Sequence, residues 1–378
     1  MERLLPNGPS DRARAVWLSY LTGHAARVAG LRGDPAGEIR ITRELRISPS
    51  DLAELIVSLG GVKFWVVAIF PLYIGWVIAQ PPGSRHLYID DLPAVLAILI
   101  VGPFLGTFTL LLNVYYDMST TDRANPRKKY VQVVEELIGE GVMDRETIFL
   151  ASWAFAAIGL LLAAYVSGNL VVFGAAATGP ITSLVGPYAF LVFTFLLAGL
   201  SVAYSHPRVR WKGVAGADIL TNMVGFGVLC PLAGWSLLRP IEEVPLWFVA
   251  TLALFIGALY APTTASDHAA DKAFGIRTMA VRLGVGRALA FGFALEVASV
   301  ALLALGWSQR WFPFEPAAYD AMGPLWPFLL LAIVFYAVFM RRPTVGKEWA
   351  LVLVLSLAQG FGVLLMLWGF VGGRTLAH

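Results

Sequence analysis

Apolar residues dominate nine stretches of the chain, near 58–80, 94–116, 147–167, 185–204, 215–237, 245–264, 286–306, 324–340 and 348–371, with polar segments between them. An apolar run of ~18 or more residues has the length a helix needs to cross ~30 Å of hydrocarbon. Inside a bilayer each segment must satisfy its own backbone N–H and C=O groups, so helix is the default for every run. The pattern predicts an all-α, polytopic membrane protein with nine transmembrane helices embedded in the lipid bilayer.

Composition agrees. The 378 residues are 58% hydrophobic and 14% charged, against ~25% charged in a soluble domain. Charge adds orientation. Of the 28 Lys and Arg, 23 fall on the N-terminal segment and the even-numbered loops. Only Arg85, Arg239, Arg310 and Arg374 fall on the other side, and Lys63 lies within the first span. The positive-inside rule then predicts a cell-membrane protein with a cytoplasmic N-terminus, an outside C-terminus and an odd number of spans. The net charge of +3 reflects this bias and gives no sign of a nucleic-acid partner.

A single cysteine, Cys230, excludes an intrachain disulfide, and five scattered histidines argue against a zinc site. Residues 1–57 read as a cytoplasmic extension without the apolar core of a signal peptide, followed by one membrane domain over 58–372. The Gly- and Ala-rich stretch 167–187 reads as an outside loop.

Two polar segments follow spans two and six, four helices apart. The first is Asn113-Val-Tyr-Tyr-Asp117-Met-Ser-Thr-Thr-Asp122-Arg123-Ala-Asn-Pro-Arg-Lys128-Lys129; the second is Asp267-His-Ala-Ala-Asp271-Lys272-Ala-Phe-Gly-Ile-Arg277-Thr278. Asp267 and Asp271 are four apart, which sets both carboxylates on one helix face, and Asn113 and Asp117 repeat that spacing. Like charges so placed need a cation, and oxygen-only donors at a half-hydrated edge suit Mg²⁺ bridging to phosphates. Acids at a membrane edge are expensive, and two matching clusters on one side point to a shared site. Solvated helix ends remain the alternative for either pair alone.

These segments resemble the UbiA superfamily of intramembrane prenyltransferases. The family's first motif runs Asn-Asp-x-x-Asp-x-x-x-Asp and its second Asp-x-x-x-Asp, and the run Lys272 to Gly284 is similar to the sequel of the second. A third segment, Tyr204-Ser-His-Pro-Arg-Val-Arg210-Trp-Lys212, is similar to a basic family motif. Val114 stands where many members have Asp, and Asp122 lies five rather than four residues beyond Asp117, leaving it ~140° off that face of an unbroken helix. Either the helix ends or bulges between them, or Asp122 is no ligand and Thr121 takes its place.

The resemblance implies a bundle around a central cavity with a polar cytoplasmic cap. It implies Asn113, Asp117, Asp267 and Asp271 as catalytic residues, and Asp117, Asp122, Asp267 and Asp271 as Mg²⁺ ligands. Arg210, Lys212, Arg123, Lys128, Lys272, Arg277 and Tyr204 would contact a diphosphate, with Asp218 and Asn222 touching the acceptor or packing behind the site. Tyr115 and Tyr116 either face an allylic cation or belong to an interfacial belt. The expected reaction is prenyl transfer from geranylgeranyl diphosphate or a similar prenyl diphosphate to a lipophilic acceptor, of carotenoid or glycerol-lipid type judging from Lys212–Asn222. A UbiA-type terpene cyclase and a secondary transporter are the alternatives, though a transporter would place its acids nearer the midplane.

The charge asymmetry is directly testable. Cysteines introduced near Asp122, Lys212, Asp271 and Arg342 should label with an impermeant thiol reagent from one face only, and those near Arg85 and Arg310 from the other. Labelling of the Asp122 and Asp271 regions from opposite faces would separate the two motifs.

Overall fold

The computed structural model describes residues 61–81, 87–117, 145–170, 186–311, 326–341, 351, 352 and 354–356. Among the described residues every regular element is helical. In chain order these are α1 (Gly61–Ala79), α2 (Leu92–Asp117), α3 (Arg145–Leu170), α4 (Ala189–Ser205), α5 (Ala217–Trp235), α6 (Leu246–Ala273), α7 (Val285–Ser308) and α8 (Trp326–Arg341). A short helix, Met279–Leu283, joins α6 to α7. Helices α2, α3, α5, α6 and α7 are each long and apolar enough to cross a membrane, while Trp65–Ala79, Ala189–Ser205 and Leu329–Arg341 are shorter apolar helices. Of the ninth expected span only residues 351, 352 and 354–356 are described, and residues 1–57 and 171–185 lie outside the described set.

The helix boundaries depart from the hydropathy windows at the positions that matter for chemistry. Helix α6 runs to Ala273, more than two turns past the apolar window ending at 264, so Asp267 and Asp271 ride on regular helix. Gly275, with φ +68°, takes the left-handed conformation that ends it. Two long helices contain π-turns, Ile100–Gly106 in α2 and Met223–Leu229 in α5. The first contains Pro103 and the second runs up to Pro231. A proline ring clashes with the carbonyl four residues back, and a widened turn relieves it. The register change expected beyond Asp117 concerns residues outside the described set; the change observed in α2 lies three turns earlier.

Successive helices pack against one another, and α5 also returns against α1. Between apolar helices in lipid there is no hydrophobic drive to associate, so close backbone approach supplies the attraction. At the α1–α5 crossing a Cβ on Gly234 would stand 1.9 Å from the Leu72 carbonyl oxygen, and one on Gly75 would stand 2.1 Å from that of Pro231. Gly227 is similarly pressed on Ala253 of α6. Buried hydroxyls inside the bundle turn back onto their own helix: Ser152 donates to the Phe149 carbonyl at 2.7 Å and Thr194 to the Phe190 carbonyl at 3.0 Å.

Gly234→Leu should therefore force α1 and α5 apart. Overpacking of this kind costs ~1–3 kcal/mol or more, so the detergent-solubilised variant should unfold at a markedly lower temperature, whereas Gly286→Ala, where a Cβ meets nothing within 4 Å, should not.

Candidate functional site

The site is built from the last described turn of α2, the C-terminal ends of α4 and α6, and the start of α5. On α2, Thr109, Asn113 and Asp117 are spaced by four and form one polar stripe. Its partners come from α4 and the turn that follows. Thr109 Oγ1 lies 2.7 Å from Ser201 Oγ, and Asn113 Nδ2 donates to Ser205 Oγ at 3.4 Å. At the end of the stripe Asp117, only 3% exposed, accepts a hydrogen bond from Lys212 Nζ on Oδ2. Arg210 Nη2 stands 3.6 Å from its Oδ1. Both oxygens of a buried carboxylate thus face cations, which is what keeps such a charge tolerable away from water.

Backbone geometry sets this up. The chain leaves α4 at His206 and turns through Arg210, whose φ of +43° is left-handed and strained for a residue with a Cβ. A 3₁₀ turn, Trp211–Gly213, then aims Lys212 inward, where it is 7% exposed. Val214 makes an isolated parallel bridge with Arg277, which ties this turn to the segment after the second acidic motif. Asp218, fully buried at the start of α5, completes the tie: Oδ1 accepts from Gly216 N at 2.8 Å and Oδ2 from Met279 N at 2.9 Å. Asn222 donates to the Asp218 carbonyl at 2.8 Å. Asp218 thus ties the start of α5 to the segment after the second motif, where Thr278 caps the short helix Met279–Leu283.

The second motif lies across from this turn. Asp271 is buried at 8% exposure, Asp267 is half-buried, and Ser266 Oγ donates to Asp267 Oδ1 at 3.3 Å. Lys272 and Arg277 are exposed. The Tyr204 hydroxyl at the end of α4 is hydrogen-bonded to that of Tyr260 on α6. Tyr260 was not singled out from sequence, yet it lies seven residues before Asp267, two turns along the same face. Tyr115 packs on Phe149 of α3, and Tyr116 edge-on against His206. Asp122, Arg123 and Lys128 lie outside the described residues.

Three segments far apart in sequence therefore converge: Asp117 through Lys212, Lys212's turn through Val214 and Asp218 to Arg277 and Met279, and α4 through Tyr204 to the Asp267 helix. The overall fold, though not these particular contacts, can be matched to known structures. A UbiA homologue from Archaeoglobus fulgidus, solved with GPP and Mg²⁺, superposes with a TM-score of 0.59 at 21% identity, over 84% of this chain and 98% of that one. The chain has the UbiA fold. A structure of digeranylgeranylglyceryl phosphate synthase matches with a TM-score of 0.57 at 16% identity over 85% of this chain and 98% of that one. An apo UbiA homologue from Aeropyrum pernix K1 matches at 0.55 and 18% identity over 80% and 98%. No protein-family profile and no curated protein matches the chain. On this UbiA fold Asp267 and Asp271 lie in the last two turns of α6 and Asp117 in the last described turn of α2, and their donors are oxygens of the kind Mg²⁺ prefers. Among the described residues no three acidic, His or Cys side chains come together closely enough to hold a metal unaided. The donor set fits an ion that brings water and phosphate oxygens with it.

The twofold use of Asp218 predicts a structural phenotype. Asp218→Ala leaves the buried Met279 amide without its acceptor, a loss of ~1–3 kcal/mol, removes the acceptor of the Gly216 amide as well, and should lower the thermal midpoint in detergent. Asp218→Asn retains one acceptor and should fall between. An unchanged midpoint with lost acceptor affinity would instead place Asp218 against the acceptor.

Proposed function

We propose that this chain is a Mg²⁺-dependent prenyltransferase of the membrane interior. It binds an allylic prenyl diphosphate at the two acidic motifs and transfers the prenyl group to a lipophilic acceptor. The observation that carries this reading is the contact of Lys212 and Arg210 with Asp117. It joins the basic segment to the first acidic motif, and the Val214–Arg277 bridge carries the connection to the second. The Archaeoglobus homologues solved with GPP or DMAPP and Mg²⁺ support the same substrate class.

In this reading Asp117, Asp267 and Asp271, with Asn113 and Asp122, hold the metal side, and Arg210, Lys212, Arg123, Lys128, Lys272 and Arg277 the diphosphate. Mg²⁺, when bound, neutralises charge building on the departing diphosphate. The chain's own cations share that task, since charges gathered around the departing group before reaction lower the reorganisation it requires. Tyr204 and Tyr260, joined through their hydroxyls, belong to the helices that lead to the basic turn and to the second acidic motif, and their rings would favour a passing allylic cation. The apolar helix walls take the isoprenoid tail. The acceptor is of carotenoid or glycerol-lipid type, and the acidic face is cytoplasmic. The placement of Asp267 and Asp271 in the last two turns of α6, not mid-span, speaks against a transport pathway.

A double-mutant cycle tests the shared site. Asp117→Asn and Asp267→Asn should each weaken Mg²⁺-dependent binding of geranylgeranyl diphosphate by about tenfold or more, through loss of a hard oxygen ligand. Together they should deviate from additivity by ~0.5–3 kcal/mol, as residues of one ion assembly do. Independent addition, or turnover unaffected by EDTA, would overturn the assignment.

A further inference from the structure

Lys212 and Asp117 raise a question that diphosphate binding by itself does not answer. If Asp117 is to ligate metal, the cation already on it must go elsewhere. Lys212 is buried, so its ammonium cannot simply swing into water without leaving the floor of the site. Metal arriving alone would displace it and leave a buried ammonium beside a divalent ion, a like-charge arrangement that is strongly disfavoured. Metal arriving with diphosphate brings several negative charges, and these can receive the displaced ammonium. We propose that Lys212 is an exchangeable counter-ion. It neutralises Asp117 in the empty site and passes to the diphosphate when metal takes the carboxylate, so that metal and diphosphate bind as one unit. This rests on the functional reading above and adds the order of loading.

The turn around Lys212 supports a side-chain exchange rather than a loop movement. Its backbone is held at Arg210 by a left-handed residue, at Val214 by the bridge to Arg277, and at Gly216 by Asp218 Oδ1. The side chain of Lys212 carries a compact ammonium on a four-carbon stem, which can turn from one anion to another without a shift of the backbone. Arg210, at 3.6 Å and partly exposed, stays near enough to screen Asp117 during the exchange. The usual coordination of Mg²⁺ acts in the same direction. Mg²⁺ ordinarily keeps few protein carboxylates and fills its remaining positions with water and substrate phosphate oxygens, so diphosphate belongs to the ligand sphere in this reading.

The prediction is a binding coupling, read without turnover. Mn²⁺ retained by the full-length protein in detergent is measured by equilibrium dialysis and electron paramagnetic resonance, with inorganic pyrophosphate present or absent and a protein-free blank for each. Wild type should retain Mn²⁺ at least about tenfold more tightly with pyrophosphate than without, within the usual range of coupling between sites. Lys212→Met removes the resident cation, so Mn²⁺ alone should bind at least about tenfold more tightly than to wild type, and the pyrophosphate enhancement should shrink. If Lys212→Met does not give a monodisperse protein, Lys212→Gln, neutral but able to hydrogen-bond Asp117, decides in the same direction. Equal Mn²⁺ affinity in wild type with and without pyrophosphate overturns the exchange while leaving the metal site standing. So does unchanged affinity for Mn²⁺ alone in the neutral variants. Retention of no Mn²⁺ by wild type even with pyrophosphate overturns the functional reading itself.

Discussion

One charge organises the polar end of this molecule: the carboxylate of Asp117, 3% exposed at the last described turn of α2. Burying a charge of this kind is costly unless cations stand close to it. The chain meets that demand from 93 to 95 residues further on, with Arg210 and Lys212. Supplying them requires the turn after α4 to fold back under α2, and the left-handed Arg210 is the visible cost, of order 1–3 kcal/mol. The same turn must then be held. Val214, Gly216 and Asp218 hold it, and in doing so they fix the segment that follows the second acidic motif. The convergence of the motifs is thus a consequence of neutralising one buried acid.

The apolar body of the bundle follows a different logic. There the hydroxyls of Ser152 and Thr194 bond their own helix, and Gly75 and Gly234 let α1 and α5 touch backbone to backbone. Thr109 with Ser201, and Asn113 with Ser205, mark the transition, since these are polar contacts between helices that lead toward Asp117. Interhelical polar contacts accumulate along α2 and α4 as they approach the site. A scaffold fastened by backbone proximity leaves the polar end able to spend its side chains on ligands.

Much of this was legible in sequence, for identifiable reasons. Hydropathy located eight of the helices because a membrane span must be apolar for its whole length. The Asp267–Asp271 spacing and the Arg210–Lys212 segment were legible because each is a local pattern. The role of Asp218 was not: its two acceptor bonds go to the backbone amides of Gly216 and Met279, and an amide carries no sequence signature. Tyr260 escaped notice inside an apolar run, although its place seven residues before Asp267 was a usable signal. Glu296, fully buried in the middle of α7, was overlooked because one acid in 24 residues barely lowers the hydropathy of the window. The π-turns were likewise hidden, since Pro103 and Pro231 signal a disturbance but not which way the helix absorbs it.

The choice of cations on Asp117 is itself informative. An arginine in bidentate contact would grip both carboxylate oxygens in a planar fork and resist displacement by a metal ion. Here the arginine is held off at 3.6 Å from one oxygen, and the direct contact belongs to lysine, a point charge on a flexible stem. Lysine neutralises the acid as well as arginine would but commits no geometry to it. A carboxylate that must be stable in the empty site and available in the loaded one calls for that combination: a direct partner that is easily redirected, and a second cation near enough to spare the acid from ever being bare.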